Sequence, residues 1–240
     1  NEIAVDQDQE EVAYIFEKYH LISAPVIDSA GRLVGQVTVD DIVNIIQEEN
    51  REDILRLAGV ADEDRGSSVP EIVRSRVPWL TINLGTAVLG AMVISWFGAT
   101  IEQIVALAIL MPIVSAIGGN AGTQALTVTV RALATRELNS SNANRTFWRE
   151  LVVGLANGLL LAPLIGVAAG LWSRDWRIGA VIAVAMVLNL MVAATVGVLT
   201  PLTLSRLKFD PAVSSAVFVT ATTDFFGFLI FLGLATLVLL

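Results

Sequence analysis

The 240-residue chain is 55% hydrophobic with a mean hydropathy of +0.70, too apolar for an ordinary soluble domain. Residues 1–76 hold 17 of the 23 acids and 7 of the 15 bases, so an acidic segment precedes a nearly neutral one, and the basic footprint of a nucleic-acid binder is missing. With no cysteine and one histidine, His20, disulfides, thiolate metal sites, a Cys nucleophile and His-rich soft-metal sites are excluded, which leaves hard cations with oxygen ligands.

In chain order, residues 9–19 place Val12, Ile15, Phe16 and Tyr19 at helical spacing. A short strand is expected over 24–28, a turn at 29–32, a second strand over 33–38 and a second helix over 40–49, with Ile42, Ile45 and Ile46 on one face. Such a unit is too small to bury a full core and is expected to pair with a copy of itself or another chain. A chain opening at Asn1, partway into this unit, is expected to be a piece of a longer protein. Ala24-Pro25-Val26-Ile27-Asp28, then Gly31, then Gly35, Thr38 and Asp41 resemble the second half of a CBS domain. The resemblance implies contacts from Thr38 and Asp41 to the phosphate and ribose of an adenine nucleotide such as ATP. A helix N-cap at Thr38, with acids in the first turn, is the alternative.

Residues 1–50 are thus read as a partial CBS regulatory domain, 51–76 as an acidic connecting (plug) helix region and 77–240 as a transmembrane domain. In the connector, Glu49, Glu52 and Asp53 share a helical face by their spacing, and Asp62, Glu63 and Asp64 follow. Pro70 opens a short helix over 71–76. Beyond it, five apolar stretches are long enough to span a bilayer, at 78–98, 103–130, 151–172, 178–203 and 211–239. All five tryptophans fall near span ends. Arg74, Arg76, Arg131, Arg136, Arg145, Arg149, Arg206 and Lys208 gather on one side, against Arg174 and Arg177 on the other, so the basic residues put the N-terminal region in the cytoplasm and the C-terminus outside. The fold class expected is mainly α: a five-helix membrane bundle behind a small α/β unit.

Two spans carry the chemistry. The second contains Pro112, which kinks a helix, and Gly118, Gly119, Asn120, Gly122 and Gln124, where small residues admit close approach and two amides share a face. The fifth carries one charge, Asp224, with Thr220 one turn before it and Thr223 beside it. A carboxylate in hydrocarbon costs several kcal/mol on the order of, so it faces a bundle interior, a wet path or a cation. Asp210-Pro211 opens this span as an N-cap before a proline.

GGNAGTQ (118–124), RALATREL (131–138) and DPA (210–212), followed by Asp224 and Gly227, resemble the MgtE family of magnesium channels. The resemblance implies a homodimer in the cell (inner) membrane, with one pore lined by the second and fifth spans. Asp224 would hold a largely hydrated Mg²⁺ and Asp210 would stand at the cytoplasmic mouth. It implies gating by cytosolic Mg²⁺ at acids matching Asp8, Glu10, Asp41, Glu49, Glu52 and Asp53. Where some members carry an acid and a polar Asn, this chain has His20 and Ala216. A coupled secondary transporter of divalent cations and a non-transporting, membrane-anchored CBS sensor stay open as alternatives. An enzyme is not expected, because no nucleophile–base pair, P-loop or catalytic metal motif is present.

Overall fold

The computed structural model describes residues 2–57, 60, 68–138, 141–211 and 215–240, apart from the side chains of Asp53 and Ser215. The acidic run Asp62, Glu63 and Asp64, with Ala212 of the DPA motif, lies outside the described residues. The chain divides into two compact units, 1–56 and 57–240.

The first unit holds β1 (Ile3–Ala4), α1 (Gln9–Tyr19), β2 (Ser23–Ile27), β3 (Leu33–Thr38) and most of α2 (Val39–Leu57). The sheet order is β1-β2-β3, parallel between β1 and β2 and antiparallel between β2 and β3. Helix α1 makes the crossover that a parallel pair requires. Asp8 caps it by accepting from the Glu10 N–H at 2.9 Å, and His20 ends it in the left-handed region at φ 51°. The β2–β3 turn is held by Asp28, whose carboxylate accepts from the backbone N–H groups of Ala30 and Arg32, each at 2.9 Å. Gly31 takes φ 74° in that turn, where a side chain would be strained. Ile3, Val12, Phe16, Ala24 and Ile42 form the small core. Ile22, Leu33 and Val34 stay 80, 71 and 62% exposed, which shows how little of the unit's apolar surface this core covers. Helix α2 continues past residue 49 to Leu57, so the first part of the expected connector is the end of this helix.

The second unit holds α3 (Val69–Trp96), a short α4 (Gly98–Gln103), α5 (Ala106–Ala134), α6 (Ala143–Ser173), α7 (Trp176–Arg206) and α8 (Ser215–Leu239). Among the described residues, five helices are long and apolar enough to cross a membrane: α3, α5, α6, α7 and α8. Helix α3 absorbs both the expected short helix over 71–76 and the first span, and runs through Pro78 without a break. It starts at a capping box in which Ser68 and Glu71 bond reciprocally. Helices α5, α7 and α8 pack against one another as a central triad, α6 lies chiefly on α7, and α3 on α8. The core between them comprises Leu107, Leu110 and Val114 of α5, Ile178, Ile182 and Ala185 of α7, and Phe231, Leu232 and Ala235 of α8.

Glycines set the spacing. A Cβ on Gly179 of α7 would lie 2.4 Å from the Gly166 carbonyl oxygen of α6, and one on Gly197 of α7 would lie 2.7 Å from the Gly122 carbonyl oxygen of α5. Without a hydrophobic drive between helices in lipid, such close backbone contact supplies the packing energy. At one end of the bundle, Thr100 of α4 and Thr236 of α8 share a hydrogen bond of 2.9 Å. Thr236 gives its proton to the Leu232 carbonyl, so Thr100 is the donor between the two.

Candidate cation site

Helix α8 carries Asp224 near its middle, partly exposed. The Ser115 hydroxyl of α5 donates to Asp224 Oδ1 at 2.5 Å, a pair 109 residues apart in sequence. Ser115 is the hydrogen-bond partner of Asp224 among the described residues, which leaves Oδ2 for water or a cation. A charge-assisted bond of this kind is short and strong. It compensates part of the cost of a carboxylate at membrane depth.

The surroundings are small and hydroxylic. Thr223 is fully buried and donates to the Thr220 carbonyl at 2.9 Å. A Cβ on Gly119 would meet the Thr220 methyl at 3.7 Å, an ordinary contact, whereas one on Gly122 would lie 2.5 Å from Val219 Cγ1. Gly122 is therefore a site of obligatory close approach between α5 and α8, and Gly119 is not. The amides of Asn120 and Gln124 lie exposed on α5. Gln124 lines a cleft of about 210 Å³ with Glu150 and Asn157 of α6 and Leu190 of α7. Polar groups exposed on a spanning helix must meet water or another chain.

Of the sequence-predicted residues, the structure thus brings Gly119, Gly122, Thr220 and Thr223 to the α5–α8 seam that carries Asp224. Asp210 follows the end of α7, ahead of residues 212–214, which lie outside the described residues. Gly118 makes a contact that the sequence reading missed: a Cβ there would lie 2.3 Å from Nδ2 of Asn189, on α7. Ser115 and Asn189 are two polar residues at this seam that were not singled out from sequence. Each is a small polar group inside an apolar span, the signal by which both could have been found.

In the N-terminal unit, Asp41 Oδ2 accepts from the Thr38 N–H at 2.9 Å and from the Thr38 hydroxyl at 2.7 Å. The Thr38 N–H, and after it the hydroxyl, hold the Asp41 carboxyl below the usual range. The two residues therefore form a cap at the start of α2. Asp8 caps α1, and Glu52 pairs with Arg56 one turn on. Glu10 and Glu49 are also engaged in contacts, and the Asp53 side chain lies outside the described residues. No group of three or more His, Asp or Glu residues converges as a metal site among the described residues of the single chain.

The family model described as MgtE, divalent cation transporter, matches residues 111–234, and a CBS domain model matches residues 3–48. The chain is similar to the Magnesium transporter MgtE of Bacillus subtilis, at 35% identity over 231 residues, covering 96% of this chain and 51% of the relative. It is similar to the protein of the same name from Enterococcus faecalis at 34% identity, covering 98% of this chain and 52% of the relative. For that of Thermus thermophilus the identity is 37%, covering 99% of this chain and 53% of the relative. The chain spans about half the length of the curated relatives it matches. With five apolar helices behind a CBS unit and a match through the helices that carry Asp224, this is a multi-pass membrane protein, and the chain belongs to the MgtE family of divalent cation transporters.

Proposed function

We propose that this chain forms the pore and part of the regulatory region of a Mg²⁺ channel, a homodimer whose α5 and α8 helices line the path. The observation that carries the reading is the Asp224 carboxylate, held at the middle of α8 by Ser115 at 2.5 Å with its second oxygen free of protein partners among the described residues. Magnesium gives up water reluctantly and prefers near-octahedral oxygen ligands. A carboxylate backed by hydroxyls suits the hydrated ion, because it accepts hydrogen bonds from the ion's own water shell. Two copies of Asp224 across a twofold axis would repel without a divalent cation and be neutralised with one. The exposed amides of Asn120 and Gln124 support a wet or partner-facing α5. Inward movement is passive, driven by a membrane potential worth about 2.3 kcal/mol per charge per 100 mV.

Asp210 stands at the cytoplasmic mouth in this reading, and the N-terminal unit is cytoplasmic. Asp8, Glu10, Asp41, Glu49, Glu52 and Asp53 supply the regulatory Mg²⁺ sites together with groups from outside this chain, since the described residues do not build one alone. An adenine nucleotide at Thr38 and Asp41 would compete with the cap that these two residues make with each other.

The test is Mg²⁺ uptake into liposomes that hold the protein, under a defined potential. Asp224→Ala lowers uptake to the level of protein-free vesicles, and flux in the parent follows the potential but not imposed H⁺ or Na⁺ gradients. Undiminished uptake by Asp224→Ala would refute the pore assignment. Flux tied to a proton or sodium gradient would favour a coupled transporter.

A further inference from the structure

Asn189 is the one buried amide among the described residues, with 0% exposure. It projects from α7 into the seam between α5 and α8. Its Nδ2 donates to the Val114 carbonyl of α5 at 3.0 Å, across 75 residues of sequence. Its Oδ1 has no hydrogen-bond partner among the described residues. The amide fits because two glycines admit it. A Cβ on Gly118 of α5 would lie 2.3 Å from Nδ2, and one on Gly227 of α8 would lie 2.9 Å from the same atom. Those anchor points flank the candidate site on both helices. Val114 immediately precedes Ser115, and Gly227 follows Asp224 by three residues. An aliphatic side chain of the same size would fill this space without burying an unsatisfied oxygen. A buried acceptor left unpaired is costly, so its presence calls for a role beyond filling space.

We propose that Asn189 is a positioning residue for ion binding: its amide is a polar spacer that ties α7 to the Val114 carbonyl and fixes the α5–α8 gap at Gly118 and Gly227, thereby holding Ser115 and Asp224 in register. It touches neither the carboxylate nor the ion in this role and acts through the backbone turn that carries Ser115. The proposal rests on Asp224 being the cation site. Its chemistry is that of an outer-shell partner, which sets the orientation of a ligand rather than donating one.

The experiment uses the reconstituted protein, Mg²⁺ as the probe and Ca²⁺ as competitor. Asn189→Leu keeps the number and branching of the heavy atoms, with somewhat more bulk, and removes both the donor and the orphaned acceptor. It is expected to yield folded, monodisperse protein, yet to raise the half-saturating Mg²⁺ concentration on the order of tenfold, the low end for loss of an outer-shell partner, and to weaken discrimination against Ca²⁺. Gly118→Ala, which forces a methyl onto the amide, is expected to abolish uptake. Gly118→Ala combined with Asn189→Ala regains folded protein and uptake but not the parental Mg²⁺ affinity. A monodisperse Asn189→Leu protein with unchanged half-saturation and Ca²⁺ competition overturns the proposal. Loss of folding in both Asn189 variants also overturns it, because the amide would then hold the bundle rather than the site. Failure of the underlying reading looks different: Asp224→Ala would itself keep full uptake.

Discussion

Gly179 sits where α7 crosses α6, and the three atoms nearest to an added Cβ are all α6 backbone. An alanine Cβ there would lie 2.4 Å from the Gly166 carbonyl oxygen and 3.2 Å from both Cα and N of Gly170, whereas ordinary contact begins at 3.4 Å. The shortfall is 1.0 Å against the carbonyl, and no rotamer relieves it because the obstructing atoms are main chain. The helices must therefore part by that amount along a seam that also includes Gly154, Gly158 and Gly170. A gap of about 1 Å forfeits a quarter to a half of the dispersion well at each opened contact, and overpacking costs about 1–3 kcal/mol. Gly179→Ala is expected near the top of that range, about 2–3 kcal/mol. The assay is unfolding by a rising SDS fraction, followed by tryptophan fluorescence. Trp176 reports on the crossing directly, since a Cβ on Gly170 would lie 2.7 Å from its ring. The control is Gly85→Ala in α3, where an added Cβ meets nothing within 4 Å and helix propensity favours alanine by up to about 1 kcal/mol. A Gly179→Ala protein within about 0.5 kcal/mol of the parent, the scatter of ordinary surface changes, refutes the close-approach reasoning.

Two further outcomes are expected. Asp41 is held below its ordinary value by the Thr38 N–H and hydroxyl, so its contribution to the start of α2 is full above the unfolded-chain value of about 3.9 and is lost as pH falls through the lower folded value. A carboxyl NMR titration should give a midpoint below 3.8, and Asp41→Asn should remove the acid-side rise in amide exchange at Thr38; a midpoint at or above 3.8 contradicts the cap. The Thr100–Thr236 bond should show a coupling of about 0.6 kcal/mol in a double-mutant cycle with valine at both positions, the mean for interhelical hydrogen bonds in a membrane protein. Zero coupling would mean that the pair does not persist in lipid.

The spans were legible because charges interrupt the apolar runs near the places where the helices end. The ends themselves were less so. Helix α3 begins at Val69, nine residues before the expected span, because its capping box at Ser68 and Glu71 starts the helix in the polar segment and Pro78 does not break it. Strand β1 has two residues and exists only through its parallel pairing with β2, so no local pattern announces it. Asp224 stood out as a lone charge in hydrocarbon. Its partner Ser115 did not, because a serine in a helix ordinarily bonds its own backbone and this one reaches across the bundle. Gly118, Gly119 and Gly122 look alike in sequence. Only the positions of Asn189, Thr220 and Val219 distinguish a tight crossing at the first and last from an ordinary contact at the middle one.

The Ser115–Asp224 bond also bears on biosynthesis. Helices α5 and α7 leave the ribosome before α8, so a hydroxyl donor for the carboxylate enters the membrane earlier than the carboxylate itself. An aspartate at the centre of an inserting helix costs about 2.5–3.5 kcal/mol on the translocon scale. Helix α8 offsets this with the run Phe225, Phe226, Phe228, Leu229, Ile230 and Phe231. A chain in which α8 came first would have to insert that charge with no partner waiting. The order of helices along the sequence therefore lowers the barrier to assembling the carboxylate on which the proposed ion site depends.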